Sequence, residues 1–189
     1  MLEKIPSVVG EALSGLKAGV EKVAFYEAFP DVPASLTLSS PAFADGAAIP
    51  ARFTADGAGV SPLLAWNGLP PDTESVVLLV EDAGSPTPHP LVHLIVWNLP
   101  TGLAGLGEGD VSKAAPDPAV PLGRNSFLQT AWLPPDPPSG HGPHAYLFQV
   151  YALRQSLDLA ANPGRSTLLD AMKGLVSAKG LLTGTYARA

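Results

Sequence analysis

Three stretches carry enough apolar residues to dictate strands. Ser75 to Val80 and Leu91 to Leu99 are almost wholly apolar, as strands buried in a sheet are. Ala145 to Leu153 places Tyr146, Phe148 and Val150 on one face and Leu147, Gln149 and Tyr151 on the other. Shorter candidates are Ser35–Ser39, Arg52–Thr54 after an Asp45-Gly46 turn, and a closing piece over Thr183–Arg188; Ser61–Trp66 leads into a Gly68-Leu69-Pro70 turn. Two helical patterns flank the strands. Over residues 7–26, Val9, Leu13, Leu16, Val20 and Val23 are spaced 4, 3, 4 and 3 apart and form one stripe. Gly10, Gly15 and Gly19 each weaken that helix by roughly 1 kcal/mol relative to Ala. Ser166–Lys179 has a box-like start at Thr167 and Asp170, a stripe of Leu168, Met172 and Leu175, and Gly180 as a stop. The pattern predicts a mainly β protein with an N-terminal and a C-terminal helix. Residues 1–34 form a helical extension and linker, and 35–189 the main domain. The first helix is either an appendage packed on that domain or a seam for a second copy.

Composition narrows the function. Hydrophobic residues are 46% and charged ones 15% of 189, a globular balance with length for a real core. The 21 prolines and 19 glycines lie between apolar runs, which favours short strands joined by built turns. A formal charge of −6 with no basic run argues against nucleic-acid binding. The absence of cysteine excludes disulfides and thiolate chemistry. No signal-peptide pattern and no membrane-length apolar run are found, so a soluble cytoplasmic protein is expected.

Candidate chemistry sits at strand mouths. Asp82 ends one apolar strand, and a proline-studded loop over residues 83–90 leads into the next, which contains His93. His144 stands at the entrance of the third strand with Tyr146 two residues on; His89 and His141 are the remaining histidines. If the first two strands pair antiparallel, Asp82 and His93 meet at one sheet edge, and His144 can join them. Such a group suits a small anion, with the carboxylate fixing an imidazole tautomer. Other readings are unrelated turn histidines, a metal site of two histidines and a carboxylate without the usual local ligand spacing, and a serine hydrolase, which lacks Gly-x-Ser-x-Gly. Gly102–Gly109 is glycine-rich but lacks the lysine and helix of a phosphate loop. The irregular tract 110–143 is of the kind that is functional or disordered.

Taken together, Ser40–Gly46 with Ile49-Pro50, Ser61–Pro70, Asp82–Pro100 and Pro137–Leu153 resemble the phosphatidylethanolamine-binding proteins, in their bacterial Raf-kinase-inhibitor-like branch. The resemblance covers roughly residues 35–189. It implies a Greek-key β-sandwich of antiparallel sheets, a small open anion pocket, no cofactor or metal, and a homodimer. Carried over by position, the pocket holds Asp82, His93 and His144, walls of Pro86, Pro138 and Tyr146, and one side formed by the backbone around Leu133 to Asp136. A cis peptide is expected at Ser85-Pro86.

Departures from the family pattern are Gly84 in place of a second acid and Ala145 in place of a cation, which together suggest a missing ion pair. Ala131-Trp132 replaces a glycine-aromatic pair, and Asp136 occupies a position usually small, where a carboxylate opposes anions. The expectation is a non-enzymatic protein binding a small anionic or phosphorylated ligand. Family members are variously described as binding phospholipid head groups, restraining kinases or inhibiting proteases, and no protein partner is selected by the sequence. Alternatives are a metal-free phosphoester hydrolase using His93 and His144 with Asp82, and an interaction protein whose pocket is vestigial.

Overall fold

A computed structural model describes residues 7–113 and 120–188 of the chain, with side chains from Gly10 onward. The apolar stretches form antiparallel strands in two sheets. One sheet has β1 (Thr37–Ser39), β2 (Leu64–Asn67) and β5 (Gly105–Leu106) in the order β1-β2-β5. The other has β3 (Ser75–Asp82), β4 (Leu91–Leu99), β6 (His144–Leu153) and β7 (Val176–Tyr186) in the order β4-β3-β6-β7. After the β3–β4 hairpin the chain returns by a long connection to lay β6 beside β3, the non-consecutive pairing of a Greek key.

Alternation along the strands builds two cores. Leu38, Leu64 and Trp66 of the small sheet share one core with Leu78, Val80, Phe148 and Val150 of the large one. The opposite face of the large sheet is also covered: Val77, Leu79, Tyr151 and Leu153 meet Leu168, Leu169 and Met172 of helix α3 (Arg165–Met172) together with Ala24 and Phe29. Covered on both faces, β3 is buried along its whole length, which is why its sequence is continuous rather than alternating.

Both helical expectations are corrected. The C-terminal helix stops at Met172, because Gly174 turns left-handed at φ 76° and releases the chain into β7. Residues 176–179 are therefore strand, and Gly180 lies inside it, where a side chain would strike the Leu36 carbonyl. The helix starts on Gly164 without a side-chain cap, so the expected Thr167 and Asp170 start is not formed. At the N-terminus the single helix becomes α1 (Ser7–Leu13), an extended piece, a 3-10 turn over Val20–Lys22 and α2 (Ala24–Glu27). Gly19 at φ 101° breaks the stripe; Leu16 and Val20 face solvent while Val23 is buried, and the Val9 side chain lies outside the described residues. Arg52 likewise belongs to a 3-10 turn, Ala51–Phe53, and not to a strand.

The N-terminal segment is a strap fastened to the large sheet. Ala18 and Gly19 donate backbone N–H bonds to the Ser85 and Ala83 carbonyls. The fully buried Glu81 carboxylate accepts from the Ala24 N–H (2.8 Å), the Gln149 amide (2.9 Å) and the Arg165 guanidinium (2.6 Å). Lys179 donates to the Phe25 and Phe29 carbonyls and lies over the Phe25 ring. These bonds satisfy polar groups that would otherwise be costly to bury. Among the described residues no helix is long and apolar enough to cross a membrane.

Within the 110–143 tract, residues 121–133 run along the free edge of β4. Trp97, Gly123, Ser126 and Leu133 donate backbone N–H bonds to the carbonyls of Pro121, Ile95, Val92 and His93 respectively. A covered edge cannot pair with another chain. The same path carries Leu133–Pro138 over His93 and thereby builds a pocket.

Candidate functional site

The site begins with a break in strand register. Val80 pairs with Leu94 and Glu81 with Val92, so His93 is an extra residue in β4, a β-bulge. The bulge turns His93 to the same side as Leu94, toward Tyr146 and Trp132, whose rings lie 5.1 and 6.2 Å from its own. Asp82 pairs with Leu91 on one side and Tyr146 on the other, at the end of β3.

Asp82, Pro86, His93, Asp136, Pro138 and His144 all line one cavity of about 210 Å³, with Leu133 and Pro134 as part of its wall. Tyr146 is fully buried beneath it and contributes packing, not lining. An apolar collar of Leu91, Phe127 and the prolines surrounds the polar floor. That volume is below the usual range of about 300–1,000 Å³ for drug-sized ligands, so the pocket suits a small molecule.

His93 is locked in place by Leu133. Its Nδ1–H donates to the Leu133 carbonyl at 2.6 Å, and the His93 carbonyl accepts the Leu133 N–H. Its Nε2 has no protein partner, and neither does the Tyr146 hydroxyl. Burial holds the His93 imidazole below the usual histidine range, against the opposing pull of Asp82. A neutral ring with its proton on Nδ1 presents a lone pair at Nε2. Burial, then the Asp82 charge, pushes the Tyr146 phenol well above its ordinary value, so it stays protonated.

His144 is committed at both nitrogens. Its Nδ1–H donates to Asp82 Oδ2 at 2.8 Å, while its Nε2 lies 2.8 Å from Nδ1 of His141. His141 in turn donates from Nε2 to the strap carbonyls of Leu13 (2.8 Å) and Leu16 (3.2 Å). These contacts link Asp82, His144 and His141 in series to the strap. Asp82 Oδ1 accepts the Gly84 N–H at 2.8 Å and closes the turn after β3.

The structure corrects the expected cis bond: there is no cis peptide among the described residues, and Ser85-Pro86 is trans. The turn is instead shaped by Asp82 Oδ1 on the Gly84 N–H and by the Ser85 hydroxyl on the Asp82 carbonyl. It also corrects the idea of a missing ion pair. A side chain at Gly84 would point at His144, whereas Ala145 packs on the opposite face with Val23 and Phe25. An acid at one position and a cation at the other cannot meet across the sheet.

Two participants had little signal in the sequence. His141 was visible as a histidine in a Pro/Gly stretch, but its carbonyl partners lie 125 and 128 positions away. Arg188, near the chain end, belongs to no motif. It donates to both oxygens of Asp56, to Asp136 Oδ1 at 2.7 Å and to the Pro137 carbonyl. Its hydrogen bond holds the Asp56 carboxyl below the usual range. The rim carboxylate of Asp136 thus has a cation bound to it. Among the described residues no group of three or more His, Cys, Asp or Glu is arranged to hold a metal ion.

The family model for phosphatidylethanolamine-binding protein matches residues 39–187. A UPF0098 protein of Pyrococcus horikoshii is 36% identical over 156 residues, covering 82% of this chain and 77% of its own length. The crystal structure of the phosphatidylethanolamine-binding protein homologue CT736 from Chlamydia trachomatis superposes with a TM-score of 0.74 at 32% identity, covering 82% of this chain and 99% of that one. The Escherichia coli YbcL structure shares the fold, with a TM-score of 0.76 at 24% identity over 82% of this chain and 100% of its own.

Proposed function

The chain belongs to the phosphatidylethanolamine-binding protein family, and on that premise we propose that the pocket over Asp82 and His93 reversibly binds one small ligand through a compact polar head. The observation that carries this reading is His93 itself. A buried imidazole lines an open, mostly apolar pocket, and its Nε2 is buried without a protein partner, which is expensive unless a ligand or solvent meets it. The family name points to phosphoethanolamine-type head groups, which carry both a phosphate and an ammonium. Seating the phosphate end requires donors, and His93 supplies one at Nε2 only after taking up a second proton.

Binding without turnover is supported by His144. An acid–base pair with His93 would need a free nitrogen on His144, and both of its nitrogens are engaged. For a second copy of the chain, the strap offers one exposed apolar surface, where Leu16, Val20 and Tyr26 stand out, beside Leu63, Phe127 and Leu128 elsewhere. Sedimentation of wild type against Leu16→Lys tests that contact, and a monomer in both samples removes it. The pocket reading is tested by calorimetry with phosphoethanolamine, ethanolamine, phosphate and acetate, alongside a phosphomonoester turnover assay. Saturable heat without turnover is expected. Metal-free turnover lost on His93→Ala would replace the reading with a hydrolase.

A further inference from the structure

We propose that Arg188 sets the charge of the pocket rim: its guanidinium pairs with the Asp136 carboxylate and so lets the pocket admit a head group that carries negative charge. Arg188 is a positioning residue, because it acts through Asp136 and does not itself line the cavity. This role rests on the binding reading above and deepens it.

The need for a cation is local. Asp136 lines the same cavity as His93, and a bare carboxylate there opposes an entering phosphate. Its charge reaches the floor, where it acts on both His93 and the Tyr146 phenol; at Tyr146 the Arg188 charge acts with the opposite sign. A guanidinium presents five N–H donors in a rigid fork, which a lysine cannot match. Here Nη1 donates to Asp136 Oδ1 at 2.7 Å and to the Pro137 carbonyl at 3.0 Å. Nε and Nη2 grip the Asp56 carboxylate at 2.7 to 3.0 Å. The Arg188 side chain is 11% exposed and that of Asp136 17%, so solvent screens the pair less than one on the open surface. The bonds to Asp56 and then to Asp136 push the guanidinium above its ordinary value, so it stays charged.

The chain path explains how a residue outside every motif arrives there. Tyr186, the last residue of β7, pairs with His144 at the entrance of β6, and its hydroxyl donates to Asp56 Oδ2 at 2.6 Å. Arg188 follows two residues later and ties the sheet to two loops of the pocket wall. One is Leu133–Pro138; the other holds Asp56 next to Ala55, which lines the cavity and donates its N–H to the Pro135 carbonyl. The residue therefore fastens the wall as well as pairing with Asp136, and the two effects separate by mutation.

Calorimetry on the full chain at low salt reads the effect, with inorganic phosphate, phosphoethanolamine and ethanolamine as probes. Arg188→Gln is expected to weaken both phosphate probes about tenfold or more, while ethanolamine changes by less than about threefold. Adding Asp136→Asn to Arg188→Gln should return the phosphate probes to within about threefold of wild type. Asp56→Asn cuts the fastening but leaves the cation on Asp136, so it should bind the phosphate probes as tightly as wild type. That variant carries the test if Arg188→Gln does not fold. No rescue in the double variant, an equal loss for ethanolamine, or a loss of about tenfold in Asp56→Asn makes Arg188 a mechanical clamp and overturns the proposal. Phosphate binding unchanged by Arg188→Gln, or a wild type that binds ethanolamine alone, overturns it and leaves the pocket reading standing. No saturable heat with any probe on the wild type overturns both.

Discussion

Gly84→Ala is a direct test of how tightly the Asp82–His144 pair is built. A Cβ at Gly84 would sit 2.7 Å from both Cα and Cγ of His144 and 2.9 Å from its Cβ. These atoms are backbone and side-chain root, so no rotation of a flexible tip relieves the clash. Either the start of β6 moves away from β3 or the turn shifts, and the turn carries the Gly84 N–H bonded to Asp82. Overpacking of this kind costs about 1–3 kcal/mol. Weakening a charged hydrogen bond in a buried pair adds about 1.5–3 kcal/mol. The opposing gain from a stiffer unfolded chain is about 0.4–1 kcal/mol, so the clash wins. A net loss of about 2–4 kcal/mol is expected, or a melting shift of roughly 5–15 °C for a chain of this size. Gly102→Ala is the control, since a Cβ there meets nothing within 4 Å. Urea denaturation by circular dichroism measures both variants, and the His144 imidazole proton reports the pair. Equal stability of the two variants within about 0.5 kcal/mol, with the His144 proton unmoved, refutes the reasoning.

The same geometry sets three further outcomes. His141→Ala leaves His144 Nε2 buried without a partner and should cost about 1–3 kcal/mol in urea denaturation; a loss below about 0.5 kcal/mol would remove the relay to the strap. Glu81→Gln sets an amide N–H against one of three donors, so a loss of about 1–3 kcal/mol and faster proteolysis of the strap are expected; an unaltered digestion rate would contradict the clamp. For His93, the folded pKa lies below the unfolded value, so the unfolded chain binds more protons between the two. Its contribution to stability is therefore full above the ordinary histidine range and is lost as pH falls toward the folded pKa. The difference between wild type and His93→Gln should shrink on acidification, and a difference that grows would reverse the sign.

Much of the sheet was legible because its strands obey one constraint each. Continuous apolar runs gave β3 and β4, and alternation gave the faces of β6. The helices were overextended because an apolar stripe has the same local look whether or not the chain continues helical. Leu175 extends the stripe of Leu168 and Met172, yet Gly174 has already turned the chain into β7. Leu16 and Val20 likewise fit a helical face that the backbone at Gly19 does not form. In the site, Asp82, His93 and His144 could be placed by strand ends and by family resemblance. The bulge that aims His93, the His141 relay and the reach of Arg188 depend on register and on distant segments, which local pattern does not encode.

The central claim is that His93 forms the receptive floor of a ligand pocket. Long-range proton–nitrogen spectra of the four histidines during a phosphoethanolamine titration test it most directly. The account expects a neutral His93 with its proton on Nδ1 and a saturable shift at Nε2, while His89 stays still. A His93 ring already protonated near neutral pH, or one indifferent to ligand while His89 responds, would contradict it.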